Sequence, residues 1–161
     1  NNENVNDKTE IVESENTTVD KELNADIQTT TNNIKNTQAV EEKVDYDLTQ
    51  MGSDMVYATV YQMMVTPNEY EGKTFRIDGK FYASYYDATE KYYFYCTIQD
   101  ATACCAQGIE FVWEDGTHIY PDEYPKENSE IVVEGTFETY KEEGDENIYC
   151  RLANAKLKSK N

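Results

Sequence analysis

Phe75-Arg76-Ile77-Asp78-Gly79-Lys80-Phe81 and, much further along, Ile131-Val132-Val133-Glu134-Gly135-Thr136-Phe137 share one pattern. Apolar residues occupy alternate positions in both, and a glycine sits in the middle. A period of two places Phe75, Ile77 and Phe81 on one face of a strand, with Arg76, Asp78 and Lys80 on the other. The central glycine permits a bend or bulge where a strand curls around a barrel. Each stretch also follows a similar lead-in, Pro67-Asn68-Glu69-Tyr70 and Pro121-Asp122-Glu123-Tyr124, so the chain carries a short internal repeat.

Working outward, the same alternation predicts three more strands. One runs over about 91–99 with Phe94, Cys96 and Ile98 on its apolar face. The next covers about 108–114 with Ile109, Phe111 and Trp113, and the last about 147–157 with Ile148, Cys150 and Leu152. The period changes over residues 52–65, where Val56, Val60, Met63 and Met64 fall at helical spacing. Ser53 suits the cap, Asp54 the first turn, and Thr66-Pro67 the end of this helix. Five strands, of which the first and fourth are long and glycine-bent, predict a mainly β fold: a five-stranded OB-like Greek-key barrel with one N-terminal helix. Residues 115–128 read as a loop where such barrels usually carry a helix, so helix 52–65 is expected to plug the barrel end.

The 14 tyrosines, five phenylalanines and Trp113 all lie after residue 45. Residues 1–44 hold no aromatic and are rich in Asn, Thr, Glu and Lys, a composition unable to offset the entropy of ordering. The expected organisation is a disordered polar leader over 1–44 and a barrel domain over 45–161. Within the leader, Leu23, Ile27 and Ile34 share a weak helical face. A chain opening on Asn1 with a polar tether reads as an exported protein without its signal, anchored through a lipidated residue just upstream; the alternative is a domain cut from a larger protein.

The formal charge is −18, from 14 basic and 32 acidic side chains. Nucleic-acid binding needs a basic surface and is excluded as an expectation, as is direct attraction to anionic membranes. Membrane contact is expected only through the lipid anchor. The expected partner is a soluble ligand or an envelope protein.

The stretch Asp100-Ala101-Thr102-Ala103-Cys104-Cys105-Ala106-Gln107-Gly108-Ile109-Glu110-Phe111, with Gly135-Thr136-Phe137 and Tyr140 later, resembles a motif of uncharacterised OB-fold lipoproteins of anaerobic Gram-positive bacteria. A looser Cys-Cys-Ala similarity links it to the soluble subunit accompanying a predicted bacterial permease. The resemblance covers roughly residues 46–157. It implies the fold and a location on the outer face of the cell membrane, and it implies no activity.

Two groups of residues carry chemistry. Tyr82, Tyr86, Tyr93, Tyr95, Tyr140 and Tyr149 fall on the outward side of the predicted strands. Tyrosine offers contact area and a hydroxyl at low entropic cost, suiting a neutral glycan, a peptide or a protein surface. Cross-strand pairing that merely stabilises the sheet is the other reading. The second group is Cys96, Cys104, Cys105 and Cys150, which the barrel topology would gather at one pole. Their spacing is not that of a zinc ribbon. Buried free thiols, one or two disulfides, and a thiolate cluster for zinc or another soft metal all remain open.

No catalytic motif is present. His118, the only histidine, reads as a solvated loop residue, and Glu110 and Glu114 as solvated outward carboxylates. The acidic run 142–147 lacks EF-hand spacing. A non-enzymatic surface binding module without a cofactor is therefore expected. The alternatives are a thiol-based soft-metal or redox accessory of an envelope transporter, and a structural envelope domain.

Overall fold

The structure, a computed structural model, describes residues 41–160. Of the leader expected over residues 1–44, residues 1–40, including Leu23, Ile27 and Ile34, lie outside the described residues. The chain forms β1 (Tyr46–Asp47), a 3-10 turn (Leu48–Gln50) and α1 (Ser53–Val65), then a second 3-10 turn (Pro67–Glu69). Five longer strands follow: β2 (Thr74–Tyr86), β3 (Lys91–Gln99), β4 (Ala106–Trp113), β5 (Glu130–Tyr140) and β6 (Tyr149–Ser159).

The strands hydrogen-bond in the order β1-β2-β3-β4-β6-β5, and a further β2–β5 pairing closes the ring. β1–β2 and β4–β6 are parallel; the other pairs are antiparallel. The fold is thus mainly β and barrel-like, a six-stranded mixed sheet with one helix. The sixth strand corrects the expected count of five. β1 is two residues long, too short to show a period, and is held by tertiary contacts. Arg76 on β2 is its clamp, reaching Asp47 at 2.9 Å and Glu134 of β5 at 2.9 Å while donating to the Glu42 carbonyl at 2.6 Å.

Alternation along β2 and β5 appears directly in burial. Phe75, Ile77, Phe81, Ile131, Val133 and Phe137 are all at most 2% exposed. The two glycines are required by close approach. β2 pairs with β5 up to Lys80 and with β3 from Lys80 onward, so the strand bends at Gly79. A Cβ there would lie 2.4 Å from the Thr97 carbonyl oxygen and 2.9 Å from Cys96 Sγ. In β5 the pairing with β6 shifts register between Glu134 and Thr136, and a Cβ on Gly135 would lie 2.9 Å from the Ala153 carbonyl oxygen.

α1 packs against β3 and β4 and buries Val56, Val60 and Met63. Its cap is Gly52, with no side-chain cap bond, rather than Ser53, which is the first helical residue. Met64, expected on the buried side, is 41% exposed because it lies a further helical step round from Met63. Ile148 is a similar correction. β6 begins only at Tyr149, which leaves Ile148 in the turn and exposed. Residues 114–129 form turns without helix or strand, as expected. Tyr124 reaches from them into the core, stacking on Phe94 at 4.0 Å and Phe81 at 5.8 Å.

Candidate functional site

The outward positions of the ring line up in one row. Tyr82 of β2 pairs with Tyr95 of β3, Tyr95 with Glu110 of β4, Glu110 with Arg151 of β6, and Arg151 with Glu138 of β5. Adjacent side chains in such a row stand about 5 Å apart, so five strands contribute to one continuous strip. A second outward pair, Tyr140 and Tyr149, lies beside it with ring centroids 5.7 Å apart. Tyr82 and Tyr95 are 6.3 Å apart and tilted. Beneath Tyr95 lies Gly108, where a Cβ would touch the tyrosine at 3.4 Å; the missing side chain gives the ring its seat.

At the centre is Glu110, the one charged residue type buried among the described residues, at 8% exposure. This corrects the expectation of a solvated carboxylate. Single-strand parity places Glu110 outward, but the aromatic and guanidinium groups that cover it come from other strands. Tyr140 Oη donates to Glu110 Oε2 at 2.5 Å. Arg151 lies over the Tyr140 ring, 4.1 Å from its centroid, and gives its Nε–H to Glu138 at 2.7 Å. Burial pushes the Glu110 carboxyl up to about 7, with Glu142 and Glu138 adding to the rise; the Tyr140 hydrogen bond and Arg151 oppose it. Burial, then the bond to Glu110, holds the Tyr140 phenol far above its ordinary range. The result is a carboxylic acid that changes charge near neutrality on an aromatic surface.

The six predicted tyrosines divide into two kinds. Tyr82, Tyr86 and Tyr149 are exposed, whereas Tyr93, Tyr95 and Tyr140 are half-buried. Tyr93 Oη donates to Glu142 at 2.7 Å and so ties β3 to the β5–β6 turn. Tyr149 Oη donates to Asp145 at 2.6 Å. Hydroxyls on three of the six are therefore occupied by the protein's own carboxylates, and ring faces are what the surface offers. Arg151 and Glu138 belong to this site and escape sequence reading, because their only signal is outward parity on strands rich in charge.

The cysteines are placed differently from one another, and all four are free thiols. Cys96 faces inward on β3, fully buried, and burial pushes its thiol up to about 12. Cys150 is half-buried on β6, its thiol raised by burial and then by Glu71 and Glu110. Cys96 pairs with Ile109, and Cys150 precedes Arg151, the partner of Glu110; the two cysteines thus flank Ile109, about 10 Å apart. Cys104 and Cys105 are exposed in the turn that follows β3, three or more residues beyond Cys96, again about 10 Å or more along the strand. Among the described residues no group of three or more His, Cys, Asp or Glu side chains could hold a metal ion.

His118 is also more engaged than a solvated loop residue. Its ring stacks on Trp113 at 3.6 Å, and its two nitrogens lie 3.3 Å from Glu114 and from Glu123. Partial burial works against its charge, but the two carboxylates outweigh it and raise its pKa above the ordinary imidazole value. Among the described residues no helix is long and apolar enough to cross a membrane. No family model matches the chain, and no curated protein and no solved structure matches it.

Proposed function

We propose that the domain is a non-enzymatic binding module of the OB class, carried at the cell surface by a lipid anchor, whose ligand lies across the outward tyrosine row. The observation that carries this reading is the five-strand row Tyr82–Tyr95–Glu110–Arg151–Glu138, which sets aromatic rings around a buried carboxyl. A sheet stabilised only by cross-strand pairs has no need to bury a titrating acid on its solvent side, where it costs stability. The OB reading is supported by the closed order β2-β3-β4-β6-β5 with β4 and β6 parallel, and by the outer sheet face being where this architecture holds ligands. Surface anchoring rests on the resemblance of residues 100–111.

A neutral ligand fits best. The net charge repels anions, and the hydroxyls of Tyr93, Tyr140 and Tyr149 are already engaged as donors, so stacking of ring faces on a sugar or an uncharged peptide is the main contact this surface offers. Affinity electrophoresis through gels containing neutral polysaccharides, with titration of uncharged peptides in parallel, tests this. Retardation or binding by the native chain should be lost in the Tyr82→Ala/Tyr86→Ala double variant. It should persist in Tyr85→Ala, which alters the other side of the same strand. Equal binding by both variants, or none by the native chain, overturns the proposal.

A further inference from the structure

The geometry points to Cys104 and Cys105 as a two-sulfur chelate for a soft, thiophilic metal ion, on a turn separate from the tyrosine row. The turn begins at Asp100, whose Oδ1 accepts from the Thr102 hydroxyl at 3.0 Å and from the Cys104 and Cys105 backbone N–H groups at 3.0 and 3.4 Å. The Asp100 N–H in turn donates to the Cys105 carbonyl at 3.0 Å, and Ala103 takes a positive φ of 55°. One carboxylate therefore fixes the backbone of both cysteines. Their side chains are exposed and stand on consecutive residues of this one fixed turn. The other residues of 101–106 are alanines and a threonine, so nothing bulky or charged within the segment screens the pair.

Ring strain selects chelation over a disulfide. Consecutive Cα atoms stand about 3.8 Å apart across a trans peptide, inside the roughly 4.4–6.8 Å that relaxed disulfides span, so direct closure is strained. A bridging ion removes that constraint. Two metal–sulfur bonds of about 2.3 Å accommodate any sulfur separation up to about 4.6 Å. Two adjacent thiolates are soft donors, which favours a thiophilic ion over magnesium or calcium. The field of a chain with net charge −18 concentrates cations at its surface. In the binding step each cysteine sulfur forms one bond to the ion and gives up its proton. Two protons are released per ion, no electrons move, and solvent fills the remaining coordination positions.

Cadmium titration of the reduced full chain in excess Mg²⁺ tests this, since Mg²⁺ occupies carboxylate sites and leaves thiolates free. The expected result is a sulfur-to-cadmium charge-transfer band saturating at one ion per chain. Cys104→Ser and Cys105→Ser should each weaken binding at least tenfold, while Cys150→Ser leaves it unchanged. Circular dichroism of each variant reports folding, and brief alkylation of the native chain provides a test without substitution, because modified Cys104 and Cys105 should abolish the band. No band, a band that survives in Cys104→Ser/Cys105→Ser, or loss in only one single variant overturns two-sulfur chelation.

Discussion

Tyr140 Oη and Glu110 Oε2 meet at 2.5 Å across two strands that are consecutive in the chain but not paired in the sheet, and burial, against the pull of this bond, leaves a carboxyl that titrates near pH 7 on the outward side of a barrel. The unfolded chain returns Glu110 to its ordinary value of 4.5. Between these two values the folded domain binds a proton that the unfolded chain does not. This contribution is therefore fully present below about pH 4.5 and is lost as pH rises through about 7, a swing of about 3 kcal/mol. Denaturant unfolding of Glu110→Gln should show the variant gaining stability relative to the native chain between pH 5 and 8. A difference that does not change with pH would show that Glu110 is not a buried titrating group.

Trp113 is the only tryptophan, so its emission reports the stack with His118 without interference. A protonated imidazole lying parallel to the indole should quench it. Emission is expected to rise with pH through a midpoint above 6.5, because Glu114 and Glu123 hold the proton on. Glu123→Gln should move that midpoint down, and His118→Gln should remove the transition. A midpoint below 6.5 would contradict the paired carboxylates.

Gly79→Ala places a Cβ 2.4 Å from a backbone oxygen of the neighbouring strand, a clash that no side-chain rotation relieves. The expected loss is about 3 kcal/mol or more, measured by urea unfolding. Gly108→Ala, whose Cβ would make ordinary contact with Tyr95 at 3.4 Å, should cost far less. Similar losses at the two positions would mean that β2 does not bend where the partner exchange places it.

Much of the barrel was legible before any coordinates. The parity of Phe75, Ile77 and Phe81, and of Ile131, Val133 and Phe137, is covalent geometry, since successive side chains of a strand must point to opposite faces. The same rule set Tyr82, Tyr86, Tyr93, Tyr95, Tyr140 and Tyr149 outward, and it marked Gly79 and Gly135 as bends. Cys104 and Cys105 are neighbours by chain connectivity alone. Elements with too few residues to show a period were not legible: β1, the late start of β6 that exposes Ile148, and the turn of helix that exposes Met64.

What only the tertiary structure decided is the environment of single groups. Glu110 follows the same alternation as the surface acids of other strands, yet it is buried because Tyr95, Arg151 and Tyr140 reach it from β3, β6 and β5. Cys96 and Cys150 both face inward, yet Ile109 separates them because pairing register sets which residues stand side by side. Periodicity belongs to one strand, whereas burial, ionisation and proximity depend on partners that the chain folds in from elsewhere.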